Sequence, residues 1–90
     1  MTKKMIHNPH AGEILKEEFL DELNLSQDTL AHAIDVPASR IHTIIRGEHS
    51  ITADIDLDLR LCKFFELSEG YFLRLQIAYE LLEAKRSGNN

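Results

Sequence analysis

The chain has 90 residues, 43% of them hydrophobic and 28% charged, and a net charge of −5 from 10 Lys and Arg against 15 Asp and Glu. That is one globular domain with no length for a second core or a large substrate cleft, and its overall charge argues against indiscriminate adhesion to nucleic acid or anionic membranes. A single cysteine, Cys62, excludes an internal disulfide and a multi-cysteine metal cluster.

The opening lysines, Lys3 and Lys4, have no apolar stretch behind them, so a signal peptide is not expected. No apolar run approaches the ~18 residues that span a bilayer. The expected location is the cytoplasm, with no membrane partner. Residues 1–8 and 85–90 read as flexible ends around a domain over 9–84.

The first helix is expected from about Pro9 to Leu23, with Asn8 as its cap. Ile14, Leu15, Phe19, Leu20 and Leu23 form one apolar stripe. Glu13, Glu17, Glu18, Asp21 and Glu22 make the other face acidic. Ser26 caps a short second helix that ends near Ile34, before Pro37 pushes Val36 into extended backbone. A third helix runs from Pro37 or Ala38 to Arg46 and stops at Gly47.

Between Ile51 and Leu67 two periods compete. Ile55, Leu57, Leu59 and Leu61 alternate with polar residues as in a strand, whereas Leu57, Leu61, Phe64 and Phe65 fit a helical stripe. A lone strand has no partner, so a helix capped by Thr52 or Asp54 is expected. Ser68 is the expected cap of a last helix that reaches about Ala84.

Little in the chain offers chemistry. Asp54, Asp56 and Asp58 imitate the start of a calcium loop, but Leu59 and Phe65 stand where that loop needs Gly and Glu. The five histidines fit no metal motif, and there is no phosphate loop or nucleophile elbow. No cofactor, no metal and no enzyme are expected.

The informative stretch is SQDTLAHAIDVPASRIHTIIRG, residues 26–47: two short helices about a tight break, a helix-turn-helix. Leu30, Ile34, Val36, Ile41 and Ile44 suit an inner face, and Ala31 lets the helices approach. Ala38, Ser39, Arg40, His42, Thr43 and Arg46 fall on the outer faces of the third helix, and residues 38–47 contain no acid. Spacing alone leaves two readings open, a helix that lies in the major groove of DNA or a solvated helix in a small bundle.

The segment resembles the helix-turn-helix of Cro/cI-like (XRE) regulators. The wider chain is similar to the HigA antitoxin subfamily, also called virulence-associated protein I. The matching stretches begin with His10-Ala11-Gly12-Glu13-Ile14-Leu15 and Leu25-Ser26-Gln27. They continue with Val36-Pro37-Ala38-Ser39-Arg40-Ile41, Ile45-Arg46-Gly47, Ile51-Thr52-Ala53-Asp54, Leu59-Arg60-Leu61 and Leu75-Gln76. Three departures stand out. Ala11 replaces the family's usual Pro, Asp35 replaces a common Gly in the turn, and the segment from Asp54 to Arg60 is about two residues longer.

The resemblance implies an all-α, five-helix, lambda-repressor-like domain. It implies an antitoxin that neutralises a HigB-like, mRNA-cleaving toxin and represses its own operon on double-stranded operator DNA. On that reading Gln27 and Arg46 meet phosphate, and Ser39, Arg40, His42 and Thr43 face bases or the flanking backbone. The toxin would be basic, and the acidic face of the first helix is one surface for it. A stand-alone regulator of the same fold, or a helical interaction module that binds no DNA, would be the alternatives.

The last helix carries two apolar stripes, Phe72, Leu75, Tyr79 and Leu82 beside Leu73, Ile77 and Leu81. One domain of this size covers one stripe, so a homodimer through Phe72, Leu75, Tyr79 and Leu82 is expected.

Overall fold

A computed structural model describes residues 7–88. The remaining parts of the expected flexible ends, residues 1–6 and 89–90, lie outside the described residues. All regular structure among the described residues is helical, with no strand. Five main helices follow in order: α1 (residues 11–23), α2 (Gln27–Ala33), α3 (Ala38–Ile45), α4 (Ile55–Phe65) and α5 (Tyr71–Gly88), with a 3-10 turn at Ile51–Ala53 before α4. α5 therefore continues four residues past the expected end at Ala84.

α1 starts at Ala11, not Pro9, and its cap is His10. The His10 Nδ1 accepts the Gly12 amide at 3.0 Å, and Glu13 Oε1 takes the His10 amide at 3.3 Å, a reciprocal capping box. Asn8, expected to cap, instead donates to the Tyr79 carbonyl and to Glu83, both at 3.1 Å, and ties the segment before α1 to α5. Ala11 uses what a proline there would lack: its amide donates to Gln76 Oε1 at 3.0 Å.

α1 is not α-helical throughout. Leu15–Leu20 is a π segment, in which the Asp21 amide reaches back to Lys16. The extra residue rotates everything after it by about 100° relative to a regular helix. Leu15 and Leu20 thereby share the buried face, while Leu23, counted in the predicted stripe, is turned out to 60% exposure.

The core is contributed by all five helices. Leu30, Ile41, Leu57, Leu61 and Phe72 are fully buried, with Leu15, Leu20, Ala31, Ile44, Ile51 and Cys62 beside them. Phe19 packs on Phe65 and Phe72 with ring centroids 4.9 and 5.4 Å apart, holding α1 to α4 and α5. At the crossing of α1 and α3 the helices touch through Gly12. A Cβ there would lie 2.0 Å from the Ile44 carbonyl oxygen, so only glycine permits this approach.

Four helix ends share one design, in which a residue with positive φ reverses the chain and two amides reach back to the last turn. Asn24, Asp35, Gly47 and Glu66 hold those positions, at φ 54°, 62°, 78° and 60°. Leu25, Val36, Glu48 and Leu67 follow them, and their amides return to the carbonyls of Leu20, Ala31, Thr43 and Cys62. The turn thus survives Asp35 in place of Gly because Asp adopts the left-handed conformation.

The region of competing periods resolves as a helix. Asp54 is the cap of α4, its Oδ1 accepting the Leu57 amide at 3.2 Å. Helical rotation sends the three alternating acids to three places. Asp54 faces α3, Asp56 faces solvent, and Asp58 is buried at 0% exposure.

Asp58, not Ser68, caps α5. Its Oδ1 accepts the amides of Phe72 and Leu73 at 3.0 and 3.2 Å, and its Oδ2 that of Gly70 at 2.8 Å. Ser68 instead accepts from the Arg74 guanidinium. The inner seam of α5 includes a polar residue that the apolar stripes did not reveal, since Gln76 is buried at 7% exposure. It donates from Nε2 to Glu80 as its Oε1 holds Ala11.

Candidate nucleic-acid interface

The helix-turn-helix forms as read. The Ser26 hydroxyl accepts the Thr29 amide at 3.0 Å and caps α2. Leu30, Ala31, Ile34, Val36, Ile41 and Ile44 are buried. Behind α3, the Gly12 contact and the buried Ile41 and Ile44 fix its height above the domain. Ala38, expected outside, packs half-buried against the core.

Ser39 and Arg46 are exposed, and Gln27, Arg40, His42 and Thr43 are half-buried. The Thr43 hydroxyl donates to the Arg40 carbonyl at 3.4 Å. Gln27 lies in the first turn of α2. The fold therefore brings these residues onto α2, α3 and the residue that ends α3, Arg46, within one helix pair.

The cations of α3 and its end are not free. Arg40 pairs side-on with Asp54, Nε to Oδ2 at 3.1 Å and Nη2 to Oδ1 at 2.7 Å, and reaches Asp56 at 3.3 Å. His42 Nε2 lies 3.1 Å from Asp28 Oδ1. Arg46 Nε donates to Glu48 at 3.0 Å. The absence of acids within residues 38–47 thus does not make the face basic, because α2, α4 and the following loop supply them.

These pairs perturb the groups that form them. The hydrogen bond from Arg60, then that from Arg40, holds the Asp56 carboxyl below its ordinary range. Arg46 does the same for Glu48. The Asp54 hydrogen bond raises Arg40, keeping it charged. The acids opposite Arg40 and His42 stand 14 to 16 residues away in sequence, beyond any helical period; Glu48, two residues from Arg46, was within reach of local reading.

Among the described residues no three His, Cys, Asp or Glu side chains are placed to hold a metal ion. None of their helices is long and apolar enough to cross a membrane.

No family model matches the chain. It is 43% identical over 77 residues to virulence-associated protein I of Dichelobacter nodosus, an alignment that covers 86% of this chain and 69% of the relative. The chain belongs to the HigA-type family of XRE helix-turn-helix proteins. Its fold superposes on the Pseudomonas aeruginosa antitoxin HigA, solved with the higBA promoter, at a TM-score of 0.80 and 36% identity, over 90% of this chain and 86% of that one. It also superposes on an addiction module antidote protein of a HigA family from Coxiella burnetii, at 0.78 and 39% identity, over 89% and 85%.

In this HigA-type chain the expected dimer residues separate. Phe72 is 0% exposed in its own core and offers nothing to a second copy, which corrects its place in the predicted interface. Leu75 is half-buried against the same core. Tyr79 packs edge-on against His10, with centroids 5.8 Å apart. The apolar surface left open on α5 is its distal half, with Ile77 at 50%, Leu81 at 58% and Leu82 at 38% exposure.

Proposed function

We propose that this protein is an antitoxin and autorepressor, which binds double-stranded operator DNA as a homodimer and neutralises a HigB-like, mRNA-cleaving toxin. The observation that carries the reading is its likeness, over 90% of the chain, to a HigA solved with its promoter. The outer face of α3 supports it chemically. A short helix bearing Ser39, Arg40 and Thr43 fits the major groove, where short polar and guanidinium groups read base edges. Gln27 and Arg46, at the two ends of the helix pair, are assigned to phosphates, and His42 to the flanking backbone.

One such helix reads only a few base pairs, so two copies on a palindrome, with half-sites about 34 Å apart, are required for a useful site. The distal half of α5, with Ile77, Leu81 and Leu82, is assigned to the contact between copies. For the toxin, the exposed acids Glu17, Glu18 and Glu22 of α1 offer a surface that steers a basic partner.

The test is a mobility-shift titration of the gene's own promoter fragment, with and without the product of a neighbouring frame that encodes a small basic protein. Binding of the fragment, relief of that protein's growth arrest and a joint complex are expected. Binding without neutralisation would leave a stand-alone regulator; no binding would leave a helical interaction module.

A further inference from the structure

A guanidinium has five N–H donors in a fixed fork, and reading a guanine bidentately takes two of them on neighbouring nitrogens. In Arg40 the side-on edge is closed, because Nε and Nη2 both donate to Asp54. The second Nη2 hydrogen goes to Asp56 at 3.3 Å. Among the described residues only the Nη1 donors have no acceptor, so the end-on edge of Nη1 and Nη2 is half closed.

The two acids are held very differently. Asp54 is anchored as the cap of α4, and its side chain is 27% exposed. Asp56 is 59% exposed and divides itself between Arg40 and Arg60, with the shorter bond, 2.8 Å, to Arg60 Nε. Arg60 is fixed in turn by its Nη1 donating to the Ile34 carbonyl at 2.8 Å, at the end of α2. Asp56 therefore has a second, better partner when Arg40 leaves it.

We infer that Asp54 and Asp56 set the sequence specificity of the third helix through Arg40. Asp54 is a positioning residue that holds the guanidinium in one orientation. Asp56 competes for the end-on edge and gives it up only to a base that offers two acceptors. A phosphate or a wrong base returns less for the same exchange, so both acids act against random DNA. This rests on the proposed role of α3 in reading DNA.

The experiment uses a duplex enriched from a random-sequence pool by the wild-type chain, and a scrambled duplex of the same composition. Asn caps a helix as well as Asp does, so D54N keeps the start of α4; melting curves check this. D54N is expected to lower the ratio of affinities for the two duplexes about tenfold, the scale of one bidentate base contact. D56N is expected to tighten the scrambled duplex about threefold and the enriched one less, the scale of one exposed ion pair. Both effects should vanish when R40A is also present, because a double-mutant cycle isolates the coupling. If the wild type enriches no sequence, or R40A binds the enriched duplex as wild type does, the reading of α3 falls and this clamp with it. If R40A weakens binding but D54N and D56N act equally with and without it, the acids are general charges and the clamp alone is wrong.

Discussion

Asp58 of α4 and Phe72 of α5 are joined through the core, the buried carboxylate accepting the Phe72 amide at 3.0 Å. The same side chain serves Gly70 and Leu73, so one residue satisfies three amides where α5 begins. Asp58→Ala removes the acceptor of all three, leaves the Phe72 amide unsatisfied away from water, and is expected to cost about 3 kcal/mol, the sum of a lost cap and an unsatisfied buried donor. Asp58→Asn keeps an acceptor and should cost about half as much. Urea denaturation of both variants checks the order; equal losses would mean that the carboxylate charge, which both variants remove, matters at this position and not the acceptor that Asn retains.

Gly12 admits α3 because it has no side chain. A Cβ there meets the backbone of Ile44 and Ile45 at 2.0 to 2.8 Å, atoms that move only if a helix moves. Gly12→Ala is expected to lose about 2–3 kcal/mol, within the range for overpacked sites, and to displace α3. Gly88→Ala meets nothing within 4 Å and serves as the control. Thermal melts of the two should differ sharply, with DNA binding lost only in the first.

Arg46 and Glu48 are both more than half exposed, at 56% and 55%, so their pair is readily exchanged for a phosphate. Arg46→Ala should weaken enriched and scrambled duplexes by similar factors and flatten the salt slope by about one unit per half-site. Glu48→Gln frees Arg46 and should tighten both. Titrations at two salt concentrations read both effects; a change confined to the enriched duplex would place Arg46 on a base.

The carboxyls of Asp56 and Glu48 are depressed by their arginines. A depressed acid stabilises the fold fully above its unfolded value, about 4, and that contribution is lost as pH falls through the lower folded value. Urea midpoints should therefore hold steady near neutrality and decline below pH about 4. In Asp56→Asn the decline should be shallower. An identical slope would show that the Asp56 pairs contribute nothing to stability.

Ile77 and Leu81, at 50% and 58% exposure, are the open apolar residues assigned to the homodimer contact. Leu81→Glu should leave the helical signal intact and shift sedimentation to the 10.3 kDa monomer. Its operator affinity should fall with it. A wild-type chain that is already monomeric at micromolar concentration removes the interface.

The helix-turn-helix was legible because its signals are local. Ser26, Gly47 and the spacing of Leu30, Ile34, Ile41 and Ile44 act within one or two turns. What stayed hidden depends on residues far apart in sequence. Asp54, Asp56 and Asp58 form one repeating pattern on paper, yet helical rotation gives them a clamp, an exposed pair and a buried cap. Gln76 interrupts an apolar stripe and reads as surface until Ala11 supplies its partner 65 residues away. The π segment leaves no mark at all, since nothing in Leu15–Leu20 departs from ordinary helix composition, and it moved Leu23 to the outside. The proposed DNA-contacting residues lie on α2, on α3 and at the end of α3, but the carboxylate partners of Arg40, His42 and Arg46 come from α2, the start of α4 and the loop after α3.

Three of the four helix ends that turn through positive φ do so without glycine, at Asn24, Asp35 and Glu66. A side chain narrows the left-handed well that glycine would leave broad. Asp35 is the joint between α2 and α3, and the amide of the next residue, Val36, is tied back to Ala31 at 3.0 Å. The angle between the two helices is therefore set before any partner arrives. A rigid joint forfeits little conformational freedom on docking, so complex formation should carry a small ordering penalty. The same stiffness leaves the pair unable to adapt to half-sites of altered width, and tolerance of such sites should rise when Asp35 is replaced by glycine.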